Sequence, residues 1–259
     1  MLADLLASLV AIGRSMQEAF DPQRFLGQFS GVVYCWSGAT GSLLWMQSGQ
    51  TEELFGLFLS NGPDLTNDGR REVLVGSPSR STAARPQGLV AVLDGSSGAT
   101  LYELLGSTYL VGTRPFGSSV VLLPDLDEDG QEDIFVGASS SSVNGIPYAG
   151  EAFIISGRTS NLIWTEVGTS SLQGFGSYAA ACADVDEDGI PDLAISAPSE
   201  ALTTGGYEGR VYLHSGVDGF LLGTLEDEYA YTRAGFGSSL LLHKLPGRDE
   251  PLLLIGESQ

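Results

Sequence analysis

The sequence predicts an all-β fold assembled from repeated four-stranded sheets, and three observations carry that expectation. First, the pair Phe-Gly recurs at Phe55-Gly56, Phe116-Gly117, Phe175-Gly176 and Phe236-Gly237, with Gly-to-Gly steps of 61, 59 and 61 residues. Second, each interval holds four short apolar runs with no helical period inside them. Third, 35 of the 259 residues are glycine, about twice the usual share, which supplies the turns such short strands need.

The elements of one unit follow in a fixed order. A first strand begins at Phe-Gly. About twenty residues later a second run closes in a small-residue turn: VLVGSP (73–78), IFVGAS (134–139), LAISAP (193–198) and LLIGES (253–258). The third run alternates between two glycines, as GLVAVLDG (88–95), GEAFIISG (150–157) and GRVYLHSG (209–216), with GVVYCWSG (31–38) upstream. A fourth run, such as TLYELLG, NLIWTEVG or FLLGTLE, ends the unit. One such sheet buries little by itself, so neighbouring units must stack face to face. Four-stranded units of this length match the blades of a β-propeller better than a β-sandwich, which does not call for such self-similarity.

The boundaries follow from that reading. Residues 31–47 make a half blade, 55–106, 116–167 and 175–227 make full blades, and 236–259 make a second half blade. About four blade equivalents result. They form either a closed four-blade ring, with one blade shared between the termini, or an arc of a larger propeller.

Residues 1–30 stand apart. Leu2, Leu5, Leu6, Leu9, Ile12, Met16 and Phe20 recur at spacings of three and four, which predicts an amphipathic helix. A signal peptide is the weaker reading, because no Lys or Arg precedes the apolar stretch and no A-x-A site follows. Elsewhere no run of 18 or more apolar residues exists, so no membrane-spanning helix is expected. Twelve basic against 32 acidic side chains leave a net charge of −20, which argues against nucleic acid and anionic lipid as partners. The two cysteines, Cys35 and Cys182, sit in apolar runs and are expected as buried thiols rather than as a bridge.

Chemistry concentrates between the first and second strands. Three units carry a loop of the form D-x-[DT]-x-D-G-x-x-[DE]. The candidate ligands are Asp64, Thr66, Asp68, Arg70 and Glu72 in the first copy. They are Asp125, Asp127, Asp129, Gln131 and Asp133 in the second, and Asp184, Asp186, Asp188, Ile190 and Asp192 in the third. Positions 1, 3 and 5 of a tight loop can aim oxygens at one centre. Glycine at position 6 supplies a turn that brings in the carbonyl of position 7 (Arg70, Gln131 or Ile190), and an acid at position 9 completes the set. Hard oxygen donors in that number suit Ca²⁺, at about three ions per chain. The EF-hand shares the first six positions but needs an acidic residue at position 12, where this chain has Val75, Val136 and Ile195. The fourth unit has lost the loop, with Lys244 and Arg248 where ligands would stand, and no metal is expected there.

Taken together, the Phe-Gly pairs, the acidic loops, the VGSP, VGAS and ISAP segments and the Gly-x-Val-Tyr strands resemble the FG-GAP repeat, the blade unit of the integrin alpha-chain propeller, over residues 31–259. The resemblance implies a β-propeller with Ca²⁺ on one face. It also implies an extracellular or cell-surface protein that recognises a ligand through the opposite face. Two departures stand out: family propellers usually have seven blades where this chain encodes about four, and GSP, GAS, SAP and GES only partly keep the Gly-Ala-Pro signature, the last unit least.

The leading functional expectation is a recognition or adhesion module for a protein or glycan ligand, with structural Ca²⁺. Tyr148 and Tyr207, one period apart, and Tyr229 and Tyr231, in the acidic stretch EDEYAY, are candidate ligand contacts. A scaffold segment of a larger secreted or surface protein is the alternative, and association into an oligomer is open if the ring is incomplete. A propeller hydrolase or lyase is the remaining class. Its material is thin, since the only histidines are His214 and His243, and no nucleophile motif or zinc cluster accompanies them. No catalytic residue is therefore expected.

Overall fold

The computed structural model describes residues 9–11, 30–50, 53–78, 87–109, 115–202, 206–227, 235–243 and 252–258. In chain order its strands are β1 (Leu9–Ala11), β2 (Val32–Trp36), β3 (Leu43–Ser48), β4 (Phe58–Asn61), β5 (Val73–Ser77), β6 (Leu89–Leu93) and β7 (Thr100–Leu105). A single helical turn, α1 (Gly106–Tyr109), precedes β8 (Ser119–Leu123), β9 (Asp133–Ala138), β10 (Glu151–Ile155) and β11 (Leu162–Val167). The remainder is β12 (Ala179–Ala181), β13 (Leu193–Ala197), β14 (Arg210–His214), β15 (Leu221–Leu225), β16 (Phe236–His243) and β17 (Leu252–Glu257). Strands β4 to β7, β8 to β11 and β12 to β15 form three antiparallel four-stranded sheets in up-and-down order. The fold is an all-β propeller built from repeating four-stranded sheets.

Stacking explains the sequence pattern of each blade. The middle strands β5, β6, β9, β10 and β13 are buried at every position, because a neighbouring sheet covers each face. That is why they read as unbroken apolar runs rather than as alternating ones. Cores form between sheets. Val33, Cys35, Trp45 and Phe55 join the first sheet to the first blade. Leu74, Phe116, Ile134 and Phe153 join the first blade to the second, and Phe135, Trp164, Phe175 and Leu193 join the second to the third.

The Phe-Gly step fastens each blade to the one before it. Phe116 is fully buried beside Phe153, with ring centroids 5.4 Å apart. Burial of such a ring is worth about 1.5–3 kcal/mol. Its amide donates to the Gln87 carbonyl at 3.1 Å, at the entry to the preceding blade's third strand; Phe175 does the same to Ala149 at 3.0 Å and Phe236 to Glu208 at 2.9 Å. The following glycine must be glycine. Gly117 and Gly176 have φ of +84° and +83°, and a Cβ on either would overlap the carbonyl oxygen of Leu89 or Glu151 on the preceding blade.

Two features at the ends differ from the sequence reading. Leu9–Ala11, inside the expected helix, forms β1 and pairs antiparallel with β2 through Leu9↔Trp36, Val10↔Cys35 and Ala11↔Tyr34. An unpaired strand edge offers a row of hydrogen-bonding groups, and satisfying them outweighs a local helical pattern that has no partner of its own. The rest of residues 1–29 lies outside the described residues. Pairing by β1 also occupies the edge of β2 that a blade shared between the termini would need. Among the described residues, β16 and β17 pair only with each other, so no sheet joins the two ends.

Candidate metal loops

All three acidic loops adopt one backbone path. Position 6 is a left-handed glycine, with φ of +80° at Gly69, +90° at Gly130 and +97° at Gly189. Position 4 is left-handed too, at Asn67, Glu128 and Glu187, with φ between 55° and 63°. The acid at position 1 then caps the turn. Asp125 accepts the amides of Asp129 and Gly130 at 3.1 and 2.9 Å, and Asp184 accepts those of Asp188 and Gly189 at 3.1 and 2.8 Å. Asp64 repeats the pattern with Asp68 and Gly69 at 3.2 and 3.0 Å.

In two of the loops the side chains converge. Carboxylate oxygens of Asp125, Asp127 and Asp133 lie within 4.8 Å of one another, as do those of Asp184, Asp186 and Asp188. Two full charges at that separation repel by roughly 1 kcal/mol in water and by about 3–4 kcal/mol at an effective dielectric of 20. Three hard oxygen donors held together against that repulsion fit a divalent cation. Asp129 belongs to the same loop as Asp125, Asp127 and Asp133, where it accepts the Ser156 hydroxyl at 3.1 Å and the Gln131 amide at 2.9 Å. The first loop, with Thr66 at position 3, does not gather three acids among the described residues. Instead Arg71 crosses to Glu132 of the second loop in a two-point ion pair, at 2.6 and 2.9 Å.

The position 9 acid has a role that the spacing did not reveal. Glu72, Asp133 and Asp192 are almost wholly buried. Each bridges its own loop to a glycine at the end of the third strand. One oxygen of Asp133 accepts the Leu126 amide at 2.7 Å and the other accepts the Gly157 amide at 3.2 Å. Asp192 holds Val185 and Gly216 at 2.6 and 3.2 Å, and Glu72 holds Leu65 and Gly95 at 2.9 and 3.4 Å. The same glycines receive an aromatic side chain from the preceding sheet. Trp45 donates its indole N–H to the Gly95 carbonyl at 3.0 Å, and Trp164 to Gly216 at 2.9 Å. Tyr102 reaches Gly157 at 3.4 Å. One peptide glycine per blade thus ties the acidic loop to the inter-blade seam. Burial pushes the Asp133 carboxyl up to about 6, against the pull of its two amide partners, and Asp127 and Asp125 push it the same way. Asp192 is raised by burial as well.

The opposite end of the blades, where first strands begin and second strands end, carries a cavity of about 890 Å³. Tyr207 lines it, as does Tyr178, which the sequence reading passed over. The Phe-Gly-Ser triplets at 116–118, 175–177 and 236–238 were the available signal for its other wall residues. Tyr148 is exposed and lies outside the cavity lining, and Tyr229 and Tyr231 fall outside the described residues. The two histidines do not meet in one sheet. His214, on β14, is buried with its Nδ1 donating to the Gly219 carbonyl at 2.8 Å, whereas His243 ends β16 at an exposed position. Cys35 and Cys182 are buried and unbridged. No helix among the described residues is long and apolar enough to cross a membrane.

Known proteins align with these blades. The FG-GAP repeat matches residues 116–155 and 175–214, each running from Phe-Gly to the end of a third strand. Integrin alpha-4 of Xenopus laevis is 32% identical over 146 residues, which is 52% of this chain and 13% of that protein. Integrin alpha-IIb of Mus musculus is 33% identical over 153 residues, 52% of this chain and 14% of that one. Phosphatidylinositol-glycan-specific phospholipase D of Bos taurus is 32% identical over 147 residues, 51% of this chain and 17% of that one. The chain therefore spans less than a fifth of the length of these relatives. Among solved structures, BamB from Moraxella catarrhalis overlaps at a TM-score of 0.43 and 16% identity, over 80% of this chain and 45% of that one, a likeness too loose to argue from. With its Phe-Gly seams, its acidic loops and its stacked four-stranded sheets, the chain carries two FG-GAP repeats and is similar to integrin alpha chains over about half of its length.

Proposed function

We propose that this protein is a calcium-stabilised recognition module of the extracellular or cell-surface space, whose propeller presents a ligand face and performs no catalysis. The observation that carries this reading is the convergence of three carboxylates in each of two repeat-equivalent loops. Asp125, Asp127 and Asp133, with Asp129 beside them, would hold one Ca²⁺, and Asp184, Asp186 and Asp188, with Asp192 behind them, a second. The carbonyls of Gln131 and Ile190 are the further candidate donors. The first loop, Asp64, Thr66, Asp68, Arg70 and Glu72, shares their backbone path and is the candidate for a third, weaker site. The bound ion would offset the repulsion within each cluster and so hold the loops, which the position 9 acids connect to the seams. Its role is structural, because every acid in these clusters is committed to the loop itself. Similarity to integrin alpha chains supports a recognition role for the module. The separation of His214 from His243 supports the absence of acid–base chemistry between them.

Native mass spectrometry and thermal melts with Ca²⁺ and with EDTA test the reading. Dissociation constants of the order of 10⁻⁴–10⁻³ M, as in extracellular modules, give about 1.4–2.7 kcal/mol per site at 10 mM Ca²⁺. Two sites raise the melting temperature by roughly 6–20 °C at about 2–4 °C per kcal/mol. Identical melts in both conditions, with no retained ion, overturn it.

A further inference from the structure

We propose that the cavity at the end of the blades opposite the acidic loops binds a neutral carbohydrate. The proposal rests on the recognition reading above and names its ligand class. A volume of about 890 Å³ is in the range of small-ligand sites. Among the described residues, its lining contains no Asp, Glu, Lys, Arg or His, in a chain whose net charge is −20. An anion finds no base in that wall and meets an acidic protein around it. A cation finds no carboxylate to pair with. A neutral, hydrogen-bonding ligand remains.

The wall itself is built of hydroxyls. Ser118, Ser177 and Ser238, which follow Phe-Gly in three successive units, converge there with Ser139, Ser199 and Ser258 from the ends of second strands. The protons of the first three are already spent. Ser177 donates to the Gly174 carbonyl at 2.6 Å, Ser118 to Gly137 at 3.2 Å, and Ser238 to Gly235. Part of their acceptor capacity is used as well, since Ser118 accepts the Ser139 amide at 3.0 Å, and Ser118 and Ser238 pair with the hydroxyls of Ser139 and Ser258 at 3.3 and 2.7 Å. The lone pairs that remain, on Ser177 above all, ask for a donating ligand. The hydroxyls of a sugar answer that demand, and they can also accept from the tyrosine O–H groups at the rim. Tyr178 and Tyr207 line the cavity with 41% and 43% of their surfaces exposed, which leaves broad aromatic surface for the C–H face of a pyranose ring. The repetition of one serine at each blade start places hydroxyls from successive blades in the lining, as the successive residues of an oligosaccharide would need.

The test uses the full chain in saturating Ca²⁺ on a printed array of neutral oligosaccharides ending in glucose, galactose, mannose or fucose. Sialylated and sulfated counterparts and a random-peptide array run beside it. Retention on a subset of the neutral glycans is expected. It should fall at least tenfold in Tyr178→Ala/Tyr207→Ala, whose melting temperature should stay within a few degrees of the parent's because neither side chain belongs to a buried core between blades. Ser199→Val is the second variant and should weaken binding several-fold. Neutral-glycan binding that survives both variants overturns the site. Preference for the sulfated or sialylated set overturns the neutral class. Peptide capture without glycan capture overturns the carbohydrate while leaving the recognition reading intact, and capture of neither overturns both.

Discussion

Replacing Asp133 with asparagine probes the buried acid that joins the second loop to the third strand. In the metal-free protein its carboxyl sits at about 6, against about 3.8 when unfolded. A raised acid favours the folded state when protonated, so its contribution is complete below pH 3.8 and is lost as pH climbs through 6. Between pH 4 and 7 the loss amounts to at most about 2–3 kcal/mol, at 1.36 kcal/mol per pKa unit. Asp192, also raised, adds a change of the same sign. The amide that Asp133→Asn introduces cannot ionise. Urea melts in EDTA at half-unit pH steps should therefore show the parent weakening from pH 4 to 7 and the variant weakening less, by about 2–3 kcal/mol across the window. At pH 7 the two effects of the substitution nearly cancel: the charge is gone, but one of the two backbone amides loses its acceptor at a cost of about 1–3 kcal/mol. Calcium should reverse the slope for the parent, since the ion binds the ionised carboxylate and its affinity rises with pH. Parallel pH profiles for parent and variant in EDTA would refute the reasoning, because they would mean that Asp133 is neither buried nor amide-bonded as described.

Two further substitutions test the seams. Gly137→Ala places a methyl group against the Gly176 carbonyl oxygen of the next blade, and backbone cannot swing aside as a side chain can. A loss of about 1–3 kcal/mol or more is expected in chemical melts, while Gly223→Ala, which meets nothing within 4 Å, should be close to neutral. Trp164→Phe keeps an aromatic ring but deletes the indole donor to Gly216, and a cost of about 1–3 kcal/mol is expected for the lost bond and the buried carbonyl it leaves. An unchanged melt for that variant would show that the indole bond carries no weight in the seam.

Much of this molecule was legible along the chain because its signals are local. The Phe-Gly period, the glycines that only a left-handed turn explains, and acids at odd-numbered positions each reside within about ten consecutive residues. Steric limits on φ and the reach of a carboxylate act at that range. The N-terminal segment shows where local reading fails. Leucines at helical spacing also make a serviceable strand, and the free edge of β2 decided between the two at Leu9–Ala11.

By itself, then, the sequence determined the repeat, the strand order within a blade and the conformation of the acidic loops. Tertiary structure alone decided what those parts touch. It turned Glu72, Asp133 and Asp192 inward to bridge two backbone amides, and set Trp45, Tyr102 and Trp164 on the same glycines from the neighbouring sheet. It gathered serines from successive blades around one mouth. The physical reason is distance along the chain: these partners lie tens of residues apart, and only the stacking of one sheet on the next brings them within a hydrogen bond.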